Sequence, residues 1–536
     1  MAEVSTQPSL DRSISSELKV NLSLGFLVVA GALLRIGHML ALRKLPFFYT
    51  LNADSKAYDD WAQKLASGNW IGNSVFYQDP LYPYFLGVFY HFFGRNLLWI
   101  RLFQIGLGTA VIVFVYHVSA KLFGKKSGLL SAALVAFYRP FIFTDNEIEK
   151  TSLGIFLVAV FILLYLKPKL HYQFFAGVTL ALGVLVRANL LLLIPIAAFF
   201  RIGRNSKRAA PVALLLGASL ILAPVLLRNR LIGREWVLTT AQSGQNFYMG
   251  NAPHNSLGDG TFPPFIRPHI LFAQHDFAAY AEKQFGHPLT SGQVSSFWWG
   301  LSFKHALTSP AFFLRVMIQK VVLFWNNFEP PDNQSIYFLS LHSAVLRLPL
   351  VSFALLSVLF AIGAVAHCRG REAQQLLIFV GIYALSVSAF YLVSRYRIPI
   401  IPVMAVIAGG AFQPLEKLVS KQPVKLPWGP PFAGVVAGLV AHIPFTNMSR
   451  EAGYAFGYTA MAQLYVRESN PKRAIESYEE ALRLNPSHLM VTIPLAELYQ
   501  QTRDYSAAQR VLEDGLKVKP DWPAASDFLR RLRQLH

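Results

Sequence analysis

Cysteine is nearly absent: Cys368 is the single one in 536 residues, so no intramolecular disulfide framework staples the chain and no cysteine cluster can hold a metal. Charge is scarce as well. Only 15% of residues are charged against 54% hydrophobic, and the mean hydropathy of +0.38 excludes an ordinary soluble protein of this size. Acidic residues are the rarer sign, 29 against 49 basic, which gives a formal net charge of +20. In a soluble chain that excess would point to nucleic acid. In a membrane protein basic residues first serve topology, so no nucleic-acid partner is expected. A cleavage site is also missing. The apolar run from Val20 to Ala41 is too long for a signal-peptide core and lacks the small-residue pattern that follows one, so it reads as a retained first spanning helix after a polar cytoplasmic tail at 1–19.

What is present is a series of long apolar runs. They lie near 97–120, 127–144, 151–166, 172–187, 189–200, 210–227, 345–366, 374–393, 397–412 and 430–446. With the first helix they make about eleven spans, and the fold class is an all-α polytopic membrane bundle. With the N-terminus cytoplasmic, the inner loops are "KLFGKKSG", "KPKLHYQ", "RIGRNSKRAA", "HCRGREAQ" and "EKLVSKQPVK", all rich in Lys and Arg as the positive-inside rule requires. Three segments then lie outside: 42–96, the turn "DNEIEK" at 145–150, and 228–344.

The stretch "SRYRIPIIP" at 394–402 puts Arg395 and Arg397 in an outer loop, where topology asks for no positive charge. A charge dipping into the bilayer costs about 2.5–3.5 kcal/mol on insertion scales. One reading is snorkelling to lipid phosphates. The other is a dedicated phosphate clamp, in which guanidinium forks match phosphate oxygens and Tyr396 adds a hydroxyl; two arginines flanking a tyrosine on the outer side favour it.

Acids gather on the same face. In the first outer segment Asp54 to Leu65 has the pattern of a short interfacial helix, with Tyr58, Trp61, Ala62 and Leu65 on one side. "PLYPYFLGVFYHFFG" reads as a second, aromatic one. Asp54 is placed either as an N-cap worth about 1 kcal/mol or as a functional acid. The next outer turn adds Asp145, Glu147 and Glu149. Acids and arginines together at a lipid-facing surface suit transfer of a sugar from a lipid phosphate. Its leaving group is good, so a base for the acceptor hydroxyl and cations for the departing phosphate suffice. Glycoside hydrolysis, with its poor leaving group, would need a second carboxyl in acid form.

The stretches "ADSKAYDDWAQKLASGNW", "DPLYPYFLGVFYHFFG", "FYRPFIFTDNEIEKTSLG" and "SRYRIPIIPVMAVIAG", in that order, resemble the C-type (GT-C) membrane glycosyltransferases, in the branch of the protein O-mannosyltransferases and lipid A aminoarabinose transferases. "SGQNFYMGNAPHNSLGDGTF" at 243–262 is similar to the outer-loop segment of bacterial members. The resemblance covers roughly residues 20–447 and implies a GT-C domain there, a polyprenyl-phosphate sugar as donor, inversion at the anomeric carbon, and a multi-pass protein of the bacterial inner membrane with its site on the periplasmic face. It further implies Asp54 as general base and Glu147 as the acid that positions acceptor or base. Arg395, Tyr396 and Arg397 match the late arginine motif that holds the donor phosphate. Tyr58, Asp145, Glu149, Asn246, Tyr248 and Asn251 are candidates for sugar or acceptor contact, although a Gly- and Asn-rich turn that only folds the loop is an equal reading of the last three. Ser55 stands where many relatives have glutamate, and no metal and no cofactor is expected.

After Thr446 the composition turns soluble and helical. Residues 455–486 and 489–520 align at a 34-residue offset, pairing Ala462, Tyr465, Ala474, Ala481 and Pro486 with Ala496, Tyr499, Ala508, Gly515 and Pro520. That is the tetratricopeptide pattern, here two repeats plus a closing helix over 453–536. An odd number of spans places it outside, either as a stability cap or as a groove for a protein or peptide acceptor. Two other functions compete: an O-antigen-type polymerase or ligase, which would use pyrophosphate-linked glycans, and a membrane scaffold or transporter. No duplication among the spans suggests the inverted repeats of a transporter.

Overall fold

The apolar runs become helices, and proline decides where they break. A computed structural model describes residues 7–202, 208–267, 270–419, 428–445 and 449–534. Among the described residues there is no β-strand, only a bridge between Tyr138 and Val351. Among the described residues five helices are long and apolar enough to cross a membrane: Glu17–Leu42, Leu97–Phe123, Ala209–Gly233, Arg371–Ala389 and Ser394–Lys417. Thr151–Tyr165, Leu170–Val184, Ala188–Phe200, Phe353–His367 and Gly429–Ala441 are shorter apolar helices. The chain is an all-helical integral membrane protein.

Three expectations change in detail. The 127–144 run divides into Lys125–Ala136 and Arg139–Thr144, because Arg139 N–H and Val351 N–H bond across to Val351 and Phe137 carbonyls, and Pro140 opens the second piece. The run at 345–366 divides into a single helical turn, Ala344–Arg347, and the helix Phe353–His367, with Pro349 between them. The outer segment 228–344 is not loop throughout: Ser291–Thr308 and Pro310–Phe324 form an apolar pair bent by 110°, with Pro310 opening the second arm.

The chain divides into two compact units. The first comprises 1–37, 57–327 and 349–443. Its helices cross at glycines that let backbones meet: a Cβ on Gly177 would lie 1.9 Å from the Leu214 carbonyl oxygen, and one on Gly217 2.0 Å from that of Phe174. The second unit comprises 38–56, 328–348 and 444–536, so the repeats pack with two segments from earlier in the chain.

Within this second unit, Arg450–Arg467 and Pro471–Leu484 form one helical hairpin, Thr492–Gln501 and Tyr505–Val518 the next, and Pro523–Arg533 closes the array. Ala474, Tyr478, Ala481 and Leu495 fill the first interface and Ala508, Leu512, Phe528 and Leu532 the second. Two repeats alone leave one face of Arg450–Arg467 bare. The short helix Ile336–His342 covers it. Phe338 lies against Gly457, where an added Cβ would come within 2.1 Å of the ring, and packs edge-on against Tyr458. Gly457→Leu should therefore overpack this seam and destabilise the unit by about 1–3 kcal/mol, seen as an earlier thermal transition of the detergent-solubilised protein; an unchanged transition would mean the Phe338 contact carries no stability.

Candidate active site

The 145–150 turn is held by three side chains from outside it, and all of them lie in the first unit. Arg35 Nε meets Asp145 Oδ2 at 2.7 Å, with both side chains essentially inaccessible. The carboxylate fits because position 108 is glycine: a Cβ there would stand 2.0 Å from Asp145 Oδ2. Arg101 Nε donates to the Asn146 carbonyl at 2.9 Å. Gln104 Nε2 donates to the carbonyls of Asp145, at 3.2 Å, and Glu147, at 2.6 Å, while its Oε1 accepts from the Tyr82 hydroxyl at 2.7 Å. Asn146 returns the arrangement by donating its side-chain amide to the Arg35 and Ile142 carbonyls. A buried turn must satisfy its backbone groups, and here charged and amide side chains do so.

That fixed turn aims three residues. Glu147 is 6% exposed, and among the described residues no hydrogen bond to its carboxyl is found. Burial pushes this carboxyl up to about 8; Arg101 opposes the rise and Glu149 adds to it. Glu147 is therefore mostly a neutral acid at pH 7. Glu149 Oε2 pairs with Arg395 Nη1 at 3.0 Å. Lys150 pairs with Asp79, both buried; burial pulls the ammonium downward, Asp79 resists, and Arg187 and Arg395 push the same way as burial.

Cations gather around this point. Arg187, 5% exposed, lies over the Tyr396 ring with its guanidinium carbon 4.3 Å from the centroid, and its Nε and Nη2 have no hydrogen-bond partner among the described residues. The Tyr396 hydroxyl bonds that of Tyr391, and its carbonyl accepts from Tyr383 at 2.8 Å. Lys150 and Arg395 thus pair with Asp79 and Glu149, while Arg187 beside them keeps two buried N–H donors without a partner among the described residues. A buried guanidinium with open donors is satisfied by an acceptor oxygen, and the edge of Arg187 offers such a place.

The two arginines of "SRYRIPIIP" part company. Arg395 faces the cluster, whereas Arg397 turns to the end of Pro310–Phe324, donating from Nη1 to the carbonyls of Phe324, 3.0 Å, and Asn326, 2.5 Å, and stacking on Phe353 at 3.7 Å. Neither side chain reaches outward to snorkel: Arg395 is 14% and Arg397 1% exposed. Arg397 binds the unpaired carbonyls of a helix C-terminus.

The remaining candidates are spread out. Tyr58 is buried in the first unit, edge-on to Tyr82 with centroids 5.5 Å apart and with Lys150 Nζ 6.0 Å from its ring. Asp145 is committed to Arg35. Residues 243–251 form a helix rather than an open turn: Tyr248 packs in an aromatic core against Trp298, Asn251 Oδ1 accepts from buried Lys320 at 2.7 Å, and Asn246 is half-buried. Asp54 belongs to the second unit. It is buried in the first turn of Ala53–Ala66, one place inside the helix, so Asn52 rather than Asp54 takes the flanking position; its carbonyl accepts the Lys56 N–H. Sequence reasoning missed Arg187, Arg101, Gln104, Asp79 and Lys150. The signal existed in part, since Arg101 and Gln104 interrupt an apolar spanning run and stand one turn apart on it.

The family model described as dolichyl-phosphate-mannose-protein mannosyltransferase matches residues 78–227, the stretch that carries Asp79, Tyr82, Arg101, Gln104, the 145–150 turn and Arg187. A tetratricopeptide repeat model matches residues 465–532. Among solved structures, ArnT from Cupriavidus metallidurans, crystallised with undecaprenyl phosphate, is similar at 13% identity over 91% of this chain and 80% of its own, with a TM-score of 0.42. The oligosaccharyltransferase AglB from Archaeoglobus fulgidus, in complex with an inhibitory peptide and a dolichol phosphate, is similar at 16% identity and a TM-score of 0.38 over 86% of this chain, which spans 60% of that longer protein. No curated protein matches the chain.

Replacing Arg35 by Met leaves Asp145 charged and buried without its cation, and should destabilise the protein by about 3–5 kcal/mol. The double variant Arg35→Met, Asp145→Leu should recover most of that loss. Thermal midpoints of the four proteins of this cycle measure the coupling; equal midpoints for single and double variants would show that the pair does not hold the turn.

Proposed function

We propose that this chain is an inverting glycosyltransferase that moves a sugar from a polyprenyl phosphate to the hydroxyl of an extracytoplasmic protein, glycolipid or glycan. The observation that carries the proposal is buried Arg187, whose Nε and Nη2 have no hydrogen-bond partner among the described residues, set beside Lys150, Arg395 and a neutral Glu147. A phosphate monoester anion, the leaving group of such a donor, supplies acceptor oxygens for those N–H groups. In the reaction the acceptor oxygen forms a bond to the anomeric carbon while the bond from that carbon to the phosphate oxygen breaks. The electron pair leaves with the polyprenyl phosphate, whose charge Arg395 and Arg187 stabilise more strongly as it develops. The acceptor proton goes to a carboxylate, and the resemblance read from the sequence gives that role to Asp54. Glu147, held as an acid, donates a hydrogen bond to the sugar or acceptor rather than taking a proton. Arg397 acts from behind, fixing the helix end on which the Arg395 loop rests. The transferase domain extends over 20–447 and the repeats over 453–536, both working on the periplasmic side of a bacterial inner membrane.

Native mass spectrometry of the gently purified protein tests the donor. A polyprenyl monophosphate species should be retained by the wild type and lost from the Arg187→Ala, Arg395→Ala double variant, and any added mass identifies the sugar. A pyrophosphate-linked glycan in its place would favour a polymerase or ligase. Ordinary phospholipid, bound equally by both proteins, would remove the anion-site argument.

The protonation of Glu147 sets a pH dependence. Its acid form is populated below about 8 and lost above it, so transfer in isolated membranes should decline as pH rises through that value. Glu147→Gln, a permanent hydrogen-bond donor, should keep most activity and flatten the alkaline decline, whereas Glu147→Ala should lose activity at every pH. Equal loss in both variants would mean that the ionised form is the one used.

A further inference from the structure

The tetratricopeptide tail touches the chain just ahead of Asp54, and all the contacts lie within the second unit. Arg467 and Glu468 end the first repeat helix, Arg450–Arg467. Arg467 Nη1 donates to the Leu51 carbonyl at 2.8 Å, and the Thr50 hydroxyl donates to Glu468 Oε1 at 2.9 Å. The same helix packs against the short turn of helix Pro46–Phe48, and Phe47 lies edge-on to Phe338, the residue that fills the Gly457 notch. Residues 46–51 are therefore fastened at three points to the tail and to the loop helix beside it.

Two residues beyond Leu51 the backbone is strained. Ala53 has φ +45°, a left-handed conformation that a residue with a Cβ seldom adopts. Such a residue persists only when its surroundings over-determine it, and it sets the direction in which Ala53–Ala66 leaves the loop. Asp54 is the next residue. A helix entry held against its own preference relaxes when one of its fastenings is cut, and the side chain nearest the entry moves most.

We infer that the tail positions Asp54, with Arg467 as the positioning residue: its bond to Leu51 and the companion Glu468–Thr50 bond hold the loop so that the strained Ala53 presents Asp54 in one orientation. The inference rests on the reading of Asp54 as the base. It gives the repeats a function that requires no partner protein, and it explains why so short an array suffices, since the segments it needs to grip belong to the same chain.

The test compares Arg467→Ala, Arg467→Lys, Thr50→Val and Asp54→Asn in the full-length protein. Turnover is read as polyprenyl phosphate released from the cell's own lipid-linked sugar in isolated membranes. Donor retention is read by native mass spectrometry, and amide hydrogen exchange is read across 50–56 and 450–484. Arg467→Ala should lower turnover by about 10- to 100-fold, the scale on which a misplaced catalytic group acts. Donor retention should be unchanged and exchange should accelerate at 51–56, with 450–484 still protected. Arg467→Lys, which keeps a donor for the bond to the Leu51 carbonyl, should restore most of the turnover.

Arg467→Ala with normal turnover beside an inactive Asp54→Asn would overturn the positioning role and leave the base standing. Asp54→Asn with normal turnover would overturn the base itself. Should Arg467→Ala unprotect 450–484, Thr50→Val decides from the loop side: slowed turnover with faster exchange at 51–56 upholds the inference, and wild-type behaviour in both defeats it.

Discussion

The ion pair between Arg35 and Asp145 is the contact on which the site depends. Both groups are out of reach of water, at 2.7 Å, and removing either would leave a charge that nothing nearby could solvate. Asp145 is also the first residue of the turn that carries Glu147, Glu149 and Lys150. Once its side chain is fixed in the notch left by Gly108, the next carbonyls fall within reach of Arg101 and Gln104 on the same spanning helix. The pair is poor evidence of stability in itself. Its value is geometric: it gives a short, polar turn one place to sit among apolar helices, which packing alone would not do.

Burial then acts on each of the aimed residues differently. Glu147, without a close cation of its own, responds by holding its proton, whereas Glu149 and Asp79 each find a partner in Arg395 and Lys150. Two carboxyls one residue either side of Ile148 thus meet different surroundings: Glu149 has a guanidinium partner, and Glu147 is held as an acid by burial. Arg187 completes the group with its plane against Tyr396, a placement that suits a guanidinium better than an ammonium because the flat face stacks while the edge stays free to donate.

The helices were legible in the sequence because a helix in an apolar setting needs little more than apolarity, and each of the long runs carries helix, although only five helices among the described residues reach spanning length. Breaks were harder to read: Pro140, Pro349 and Pro310 each ended or bent an apolar stretch that hydropathy treats as continuous. The site was legible where residues of one kind stood together, as in "DNEIEK" and "SRYRIPIIP". It was not legible where partners lie far apart in the chain. Lys150 and Asp79 are 71 residues apart, and Arg187 looked like one more basic residue at a helix end. Adjacent arginines also misled. Arg395 and Arg397 are two residues apart in a tight helical turn, so their side chains leave on different sides, one into the cluster and one onto helix carbonyls.

The repeats show the same limit from the other direction. Their period was plain in the sequence, and a period says how neighbouring units pack but not what covers the end of the array. Arg450–Arg467 has glycine at 453 and 457 on the side that another repeat would cover, and aromatic residues from an earlier segment, Tyr337 and Phe338, occupy it. A missing third repeat is thus replaced by a segment of the same chain, about a hundred residues earlier. Covering that side uses the surface on which a longer array would continue. The first repeat helix thus takes from Ile336–His342 the apolar cover that a neighbouring repeat would otherwise give it.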